Sequence, residues 1–257
     1  MVGYDSAVTH IAFCGDSYCD PGTGSNQSYK SWPNILVDYC GNNALCYGMS
    51  GHALFHSYIK LLDCVDKVDY VIFCITESTR LPNRWFAPIN YSSMLAAETN
   101  TDHDHDPGLA SAPSHMRPNI MAAAIGYYEY LFYEEYHVFV HKCILEKLDA
   151  LMLQHKKKCI WFPCFDSSMQ EFIPKSGPIV NTPLVKISST EFDTDEAWWT
   201  GEPGLSQDDR KCHMNEKNNI NMATLIIDII NSDDFTPREI KMEEYFDGLA
   251  KGMPDGK

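Results

Sequence analysis

Three short stretches of this chain place hydroxyls, small residues and charges just where an apolar run stops: Gly15-Asp16-Ser17, Gly48-Met49-Ser50-Gly51 and Thr76-Glu77-Ser78-Thr79-Arg80. A serine at a glycine-led turn after a strand can expose its hydroxyl while its own backbone N–H points at the same space, as an acyl-transfer nucleophile requires. The glycines of the second stretch would let another backbone N–H approach that point, giving two donors for an oxyanion. A base is offered far downstream, in Ser206-Gln207-Asp208-Asp209-Arg210-Lys211-Cys212-His213-Met214-Asn215. There an imidazole near carboxylates could take the serine proton while one carboxylate fixes its tautomer and stabilises the imidazolium. The chain order would be Ser17, then Asp209 or Asp208, then His213.

These groups can act together only if the fold gathers them. Residues 9–14, 44–47, 69–75 and 159–165 are short apolar runs that read as strands, and 69–75 is continuously apolar, as parallel strands covered on both faces are. Between them, 31–40 and 53–64 carry apolar residues at helical spacing and 120–154 reads as one or two helices, with Ser31 as the cap of the first helix and Pro33 in its first turn. A further strand over 184–188 and a terminal helix over 214–230 complete the pattern. Strands alternating with helices predict a parallel sheet covered on both sides, and open sheets of this kind place their sites on the loops at the carboxyl ends of the strands. The three turns would then share one rim. Residues 81–119 break the pattern with Pro-, His- and Asp-rich sequence and read as an inserted loop or lid. The expected organisation is one domain over 1–232 and an acidic, loosely attached tail over 233–257.

The blocks, in this order, resemble the SGNH/GDSL hydrolase family. Ile11-Ala12-Phe13-Cys14-Gly15-Asp16-Ser17 looks like its nucleophile block, Tyr47-Gly48-Met49-Ser50-Gly51 like its second, oxyanion block, and His213-Met214-Asn215 leading into the terminal helix like its last. The resemblance covers about residues 9–230. It implies a three-layer α/β/α sandwich of the SGNH hydrolase fold, flavodoxin-like in plan, with Ser17 as nucleophile, His213 as base and the Ser17 and Gly51 N–H groups in the oxyanion hole. Two departures stand out. The family's last block is Asp-x-x-His, but Arg210 stands three residues before His213, so the acid is Asp209, with Asp208 as runner-up. Its third block carries an Asn where this chain has Thr76-Glu77-Ser78, and an ionised Glu77 would repel an oxyanion. Thr76, Ser78 or Arg80 then become the alternatives for a third donor, while Arg80 could instead bind a carboxylate or phosphate on the substrate.

Blander readings stand beside each residue. Ser17 could be a capping serine at a strand-to-helix turn, His213 a surface histidine, Asp16 a residue that shapes the turn, and Cys19 and Cys212 passive thiols. Trp198-Trp199 and Trp85-Phe86 could wall a substrate cleft, with Trp199 the binding candidate, or belong to the core. The tyrosines at 127, 128, 130, 133 and 136 read as a packed helix, and a subunit contact in a homo-oligomer would suit them too. Asp102-His103-Asp104-His105-Asp106 offers metal-ligand types, but an EF-hand loop would need Gly and a carboxylate where Pro107 and Pro113 stand, so it reads as a solvated loop and no metal is expected.

Composition bounds the function. The 257 residues are 44% hydrophobic and 21% charged, which excludes disordered and fibrous classes. Lys plus Arg number 20 against 35 Asp plus Glu, and a formal net charge of -15 disfavours nucleic acid as a partner. No window approaches a membrane span, residues 1–12 lack a signal-peptide pattern, and the ten cysteines show no Cys-x-x-Cys pair. The expectation is a cytoplasmic protein with reduced thiols. The function expected from the resemblance is hydrolysis of a small-molecule or glycan ester, acetyl among the candidates, by a mechanism that requires no metal or organic cofactor. The alternative is a catalytically inactive SGNH-like binding or structural module. A flavodoxin-like nucleotide binder is a weaker third, since Gly22-Thr23-Gly24-Ser25 lacks the Lys of a P-loop.

Overall fold

A computed structural model describes residues 10–21, 30–49, 51–85, 89, 112–165, 172–184, 214, 216–242 and 245. The strands are β1 (Ile11–Gly15), β2 (Ala44–Gly48), β3 (Tyr70–Ile75), β4 (Lys158–Pro163), β5 (Ile179–Val180) and β6 (Glu239–Ile240). The helices are α1 (Trp32–Cys40), α2 (Leu54–Leu62), α3 (Arg117–Tyr130), α4 (Glu134–Gln154) and α5 (Glu216–Ser232). All six strands are parallel, in the order β2-β1-β3-β4-β5-β6.

The layering follows from the two-residue period of a strand. Ile11, Phe13, Ile72, Cys74, Ile160 and Phe162 share one core with Trp32 and Leu36 of α1 and with Met222, Leu225, Ile226 and Ile229 of α5. Their neighbours Ala12, Cys14, Val71, Phe73, Ile75, Cys159 and Trp161 share the other core with Leu54 and Leu61 of α2 and Leu145, Leu148 and Met152 of α4. Both faces of the central strands are therefore apolar, which is why they read as unbroken hydrophobic runs. The architecture is the three-layer α/β/α, flavodoxin-like arrangement that the sequence pattern predicts.

Several details differ from the expectation, each for a local reason. Of the one or two helices expected over 120–154 the structure forms two, parted at Leu131 to Tyr133, and only the start differs, since α3 begins at Arg117. Ser31 stands at the N-cap of α1, but its hydroxyl accepts from the Asn34 amide (3.1 Å), and the open Trp32 N–H is answered instead by Asn219 Oδ1 of α5 (2.8 Å). The tail is not loose throughout: β6 pairs with β5, and Ile240 and Met242 are buried. Of the stretch expected as a strand over 184–188 only Leu184 is described, the rest lying outside the described residues, and the sheet has a strand at Ile179–Val180 that the sequence pattern did not show. Among the described residues no helix is long and apolar enough to cross a membrane.

Candidate active site

The strand register aligns Gly15 with Gly48, Cys14 with Phe73, and Ile75 with Pro163, so four strands end on one edge. Because β2 lies on one side of β1 and β3 on the other, the strand order reverses between β1 and β3. The crevice at such a reversal is where open sheets of this kind bind their ligands. The turns after β1 and β3 flank it.

After β1 the chain makes one 3-10 turn over Ser17–Cys19, capped by Asp16, whose Oδ1 accepts from the Tyr18 N–H (3.1 Å). Ser17 is partly exposed at the start of this turn. The turn after β2 closes onto it. A side chain at Gly48 would place Cβ 2.4 Å from the Cys19 carbonyl oxygen, so only glycine permits the approach, and the Met49 N–H donates to the Gly15 carbonyl (3.3 Å). Gly51 turns the chain at φ 77, a left-handed value that favours glycine. Neither the Ser17 nor the Gly51 backbone N–H donates to another described residue.

The turn after β3 is fixed from both sides. On the crevice side, Arg80 sets Nη2 3.3 Å from Asp16 Oδ2 and Nε 3.0 Å from Glu77 Oε1, while its Nη1 donates to the His52 carbonyl (3.4 Å). Its guanidinium also lies over the Phe165 ring, 5.2 Å from the centroid. One cation thus joins all four turns, with the Arg80 side chain only 6% exposed and Asp16 fully buried. Burial opposes the charge on Arg80, but Asp16 and Glu77 outweigh it and raise the pKa above that of an ordinary arginine.

On the outer side, His141 Nε2–H of α4 donates to the Thr76 carbonyl (2.9 Å), and the Tyr128 hydroxyl of α3 donates to the Thr79 carbonyl (2.6 Å). Burial pulls His141 down to about 4, although its bond to Thr76 favours the charged ring. His52 is pulled down to about 4 as well, first by burial and then by His56, Lys60 and Arg80. Both imidazoles are neutral at pH 7.

The structure thus gathers Ser17, Gly51, Thr76, Glu77 and Arg80 at one rim. Thr76 is buried, and its hydroxyl has no hydrogen-bond partner among the described residues. Glu77, expected as a bare charge opposed to an oxyanion, is paired with Arg80. Arg80, weighed as a third oxyanion donor or as a group that could bind an anionic substrate, is engaged by Asp16, Glu77 and the His52 carbonyl. Cys19 is buried, and its thiol is pushed well above the ordinary range by burial and by contact with Cys74. Cys74 also contacts Cys164, whose Sγ–H donates to Asp16 Oδ1 (3.5 Å).

His213, Asp208, Asp209, Trp199, Cys212 and the stretch 102–106 lie outside the described residues. The neighbour Met214 is described. It is buried in the same core as Tyr18 and Cys19, and its carbonyl accepts from Asn219 Nδ2 (2.9 Å).

Sequence reasoning missed His52, His141 and Phe165. His52 had a signal, an imidazole directly after Gly51, whereas His141 lies 65 residues from Thr76 in no motif. Among the described residues no group of three or more His, Cys, Asp or Glu is arranged to hold a metal ion. No family model, no curated protein and no solved structure matches the chain.

Proposed function

We propose that this protein is a serine ester hydrolase of SGNH/GDSL type, acting on a small-molecule or glycan ester. Ser17 Oγ attacks the acyl carbonyl and His213 takes its proton, with Asp209, or Asp208 as runner-up, orienting the imidazole. The tetrahedral oxyanion is held by the Ser17 and Gly51 N–H groups. As the intermediate collapses, the C–O bond to the alcohol breaks and His213 returns the proton to the leaving oxygen. Water then cleaves the acyl-serine by the same steps in reverse roles.

The observation that carries this reading is the placement of Ser17. It stands partly exposed beside the β1/β3 crevice, on a turn pressed against the Gly48–Gly51 turn, and the Ser17 and Gly51 N–H groups are engaged by no described residue. Met214, the residue after His213 in the chain, is buried in the core that also holds Tyr18 and Cys19, and this supports the reading further.

The test is labelling by a fluorophosphonate probe together with turnover of p-nitrophenyl acetate. The wild type is expected to label and turn over, and Ser17→Ala and His213→Ala are each expected to lose label and at least about 1,000-fold of the turnover while keeping the wild-type melting temperature. A folded wild type that neither labels nor turns over would count against catalysis and favour the inactive binding module.

A further inference from the structure

The charges around the crevice are unequal in number and in exposure. Arg80 contributes one positive charge, Asp16 and Glu77 two negative ones, and the three lie in one cluster. The side chain of Asp16 is 0% exposed and that of Arg80 6%, whereas that of Glu77 is 24% exposed. The cluster therefore turns its excess negative charge outward through Glu77.

The cation is not free to compensate. Arg80 has Nε, Nη1 and Nη2 on Glu77, the His52 carbonyl and Asp16, and one face on Phe165. A substrate carboxylate or phosphate would have to displace a buried ion pair to reach it. On Glu77 only Oε1 is engaged, and Oε2 makes no contact with another described polar group. The nearby rings of His52 and His141 are buried and carry no charge at neutral pH.

We infer that Glu77 is a specificity-determining carboxylate of this rim, which favours esters bearing a cationic group near the reacting carbonyl over neutral ones, and neutral over anionic. The inference rests on the serine hydrolase reading and names the substrate class for it. It also gives the departure from the family's third block a purpose: the carboxylate that cannot donate to an oxyanion selects the group beside it. Charge complementarity of this kind discriminates partners chiefly by repelling the wrong one. A unit charge within a few ångströms of a partly exposed carboxylate shifts an equilibrium by about one to two powers of ten.

Three acetyl esters with the same two-carbon linker and head groups of different charge separate the outcomes: acetylcholine, its uncharged isostere 3,3-dimethylbutyl acetate, and the acetyl ester of isethionate. For the wild type, kcat/KM is expected to fall about tenfold at each step in that order. Glu77→Gln, which keeps an acceptor for Arg80, is expected to compress the three values to within about threefold. Raising the salt to about 0.5 M is expected to narrow the wild-type series as well, a readout that does not depend on the variant folding. Equal kcat/KM for all three esters in a wild type that labels with fluorophosphonate overturns the role of Glu77 alone. A ranking that persists unchanged in Glu77→Gln overturns it too, and assigns the preference to the overall negative charge. A wild type that neither labels nor hydrolyses any of the three overturns the parent reading and this one with it.

Discussion

The two sides of the turn after β3 are held by different physics. Toward the crevice, the Arg80 cation ties Thr76-Glu77-Ser78-Thr79 to the other turns, through the full charge of the buried Asp16, the His52 carbonyl and the Phe165 ring. Toward α3 and α4, neutral donors hold the same turn: the His141 ring on the Thr76 carbonyl and the Tyr128 hydroxyl on the Thr79 carbonyl. A charged tie in a buried place is costly to leave half-made, whereas a neutral one loses little more than its hydrogen bond. The crevice side is thus brittle toward substitution, and the outer side is sensitive to acid.

The strongest way to break the contrast is Arg80→Ala, which leaves Asp16 fully buried without its cation. We expect a loss of about 3–5 kcal/mol in urea unfolding, partly recovered when Asp16→Asn is added. A change below about 1 kcal/mol would mean that the crevice side is not held by charge.

Acid probes the other side. An unfolded imidazole titrates near 6.5, while His141 stays neutral in the fold down to about 4. The unfolded chain therefore takes the proton first. The contribution is complete above about pH 6.5 and is lost as the pH falls toward 4, by about 3 kcal/mol for this one histidine. His52, on the crevice side, adds a change of the same sign over the same range, so the His141→Gln variant is what isolates the outer side. Melting temperatures at pH 7.5 and 4.5 should fall further apart in the wild type than in His141→Gln, and equal separations would remove His141 from the account. The smallest effect is expected for Tyr128→Phe, about 1–2 kcal/mol, because the Thr79 carbonyl loses a buried donor without stranding a charge.

The sequence made the frame readable because the signals were local. β1, β3 and β4 are covered on both faces and show as unbroken apolar runs, and the turns after β1, β2 and β3 follow directly from where those runs stop. β5 and β6 are two residues each, too short for any period to register, and β6 lies in a stretch that composition alone marks as tail. At the rim, Ser17 and Gly51 could be singled out from glycine spacing. The role of Arg80 could not, because its decisive partner, Asp16, is distant in sequence and nothing in a linear pattern pairs them. The same holds for the N-terminus of α1: Ser31 is the residue a reader would choose, but Asn219, 187 residues away, answers the Trp32 N–H. Residue types and turns are written in short range, whereas the pairing of buried polar groups is decided by which faces the sheet brings together.

The nine described cysteines are all free, and six of them, Cys14, Cys19, Cys64, Cys74, Cys159 and Cys164, are buried. Cys19, Cys74 and Cys164 touch in sequence beneath the Asp16 turn, while Cys14 contacts Cys64 on the other face of the sheet. Packed, these thiols behave as small hydrophobes shielded from oxidants. Once the sheet opens, the same thiols are exposed to oxidants and able to form crosslinks that refolding cannot easily undo. Whether this protein recovers from unfolding is therefore set as much by the reductant around it as by the depth of its free-energy minimum.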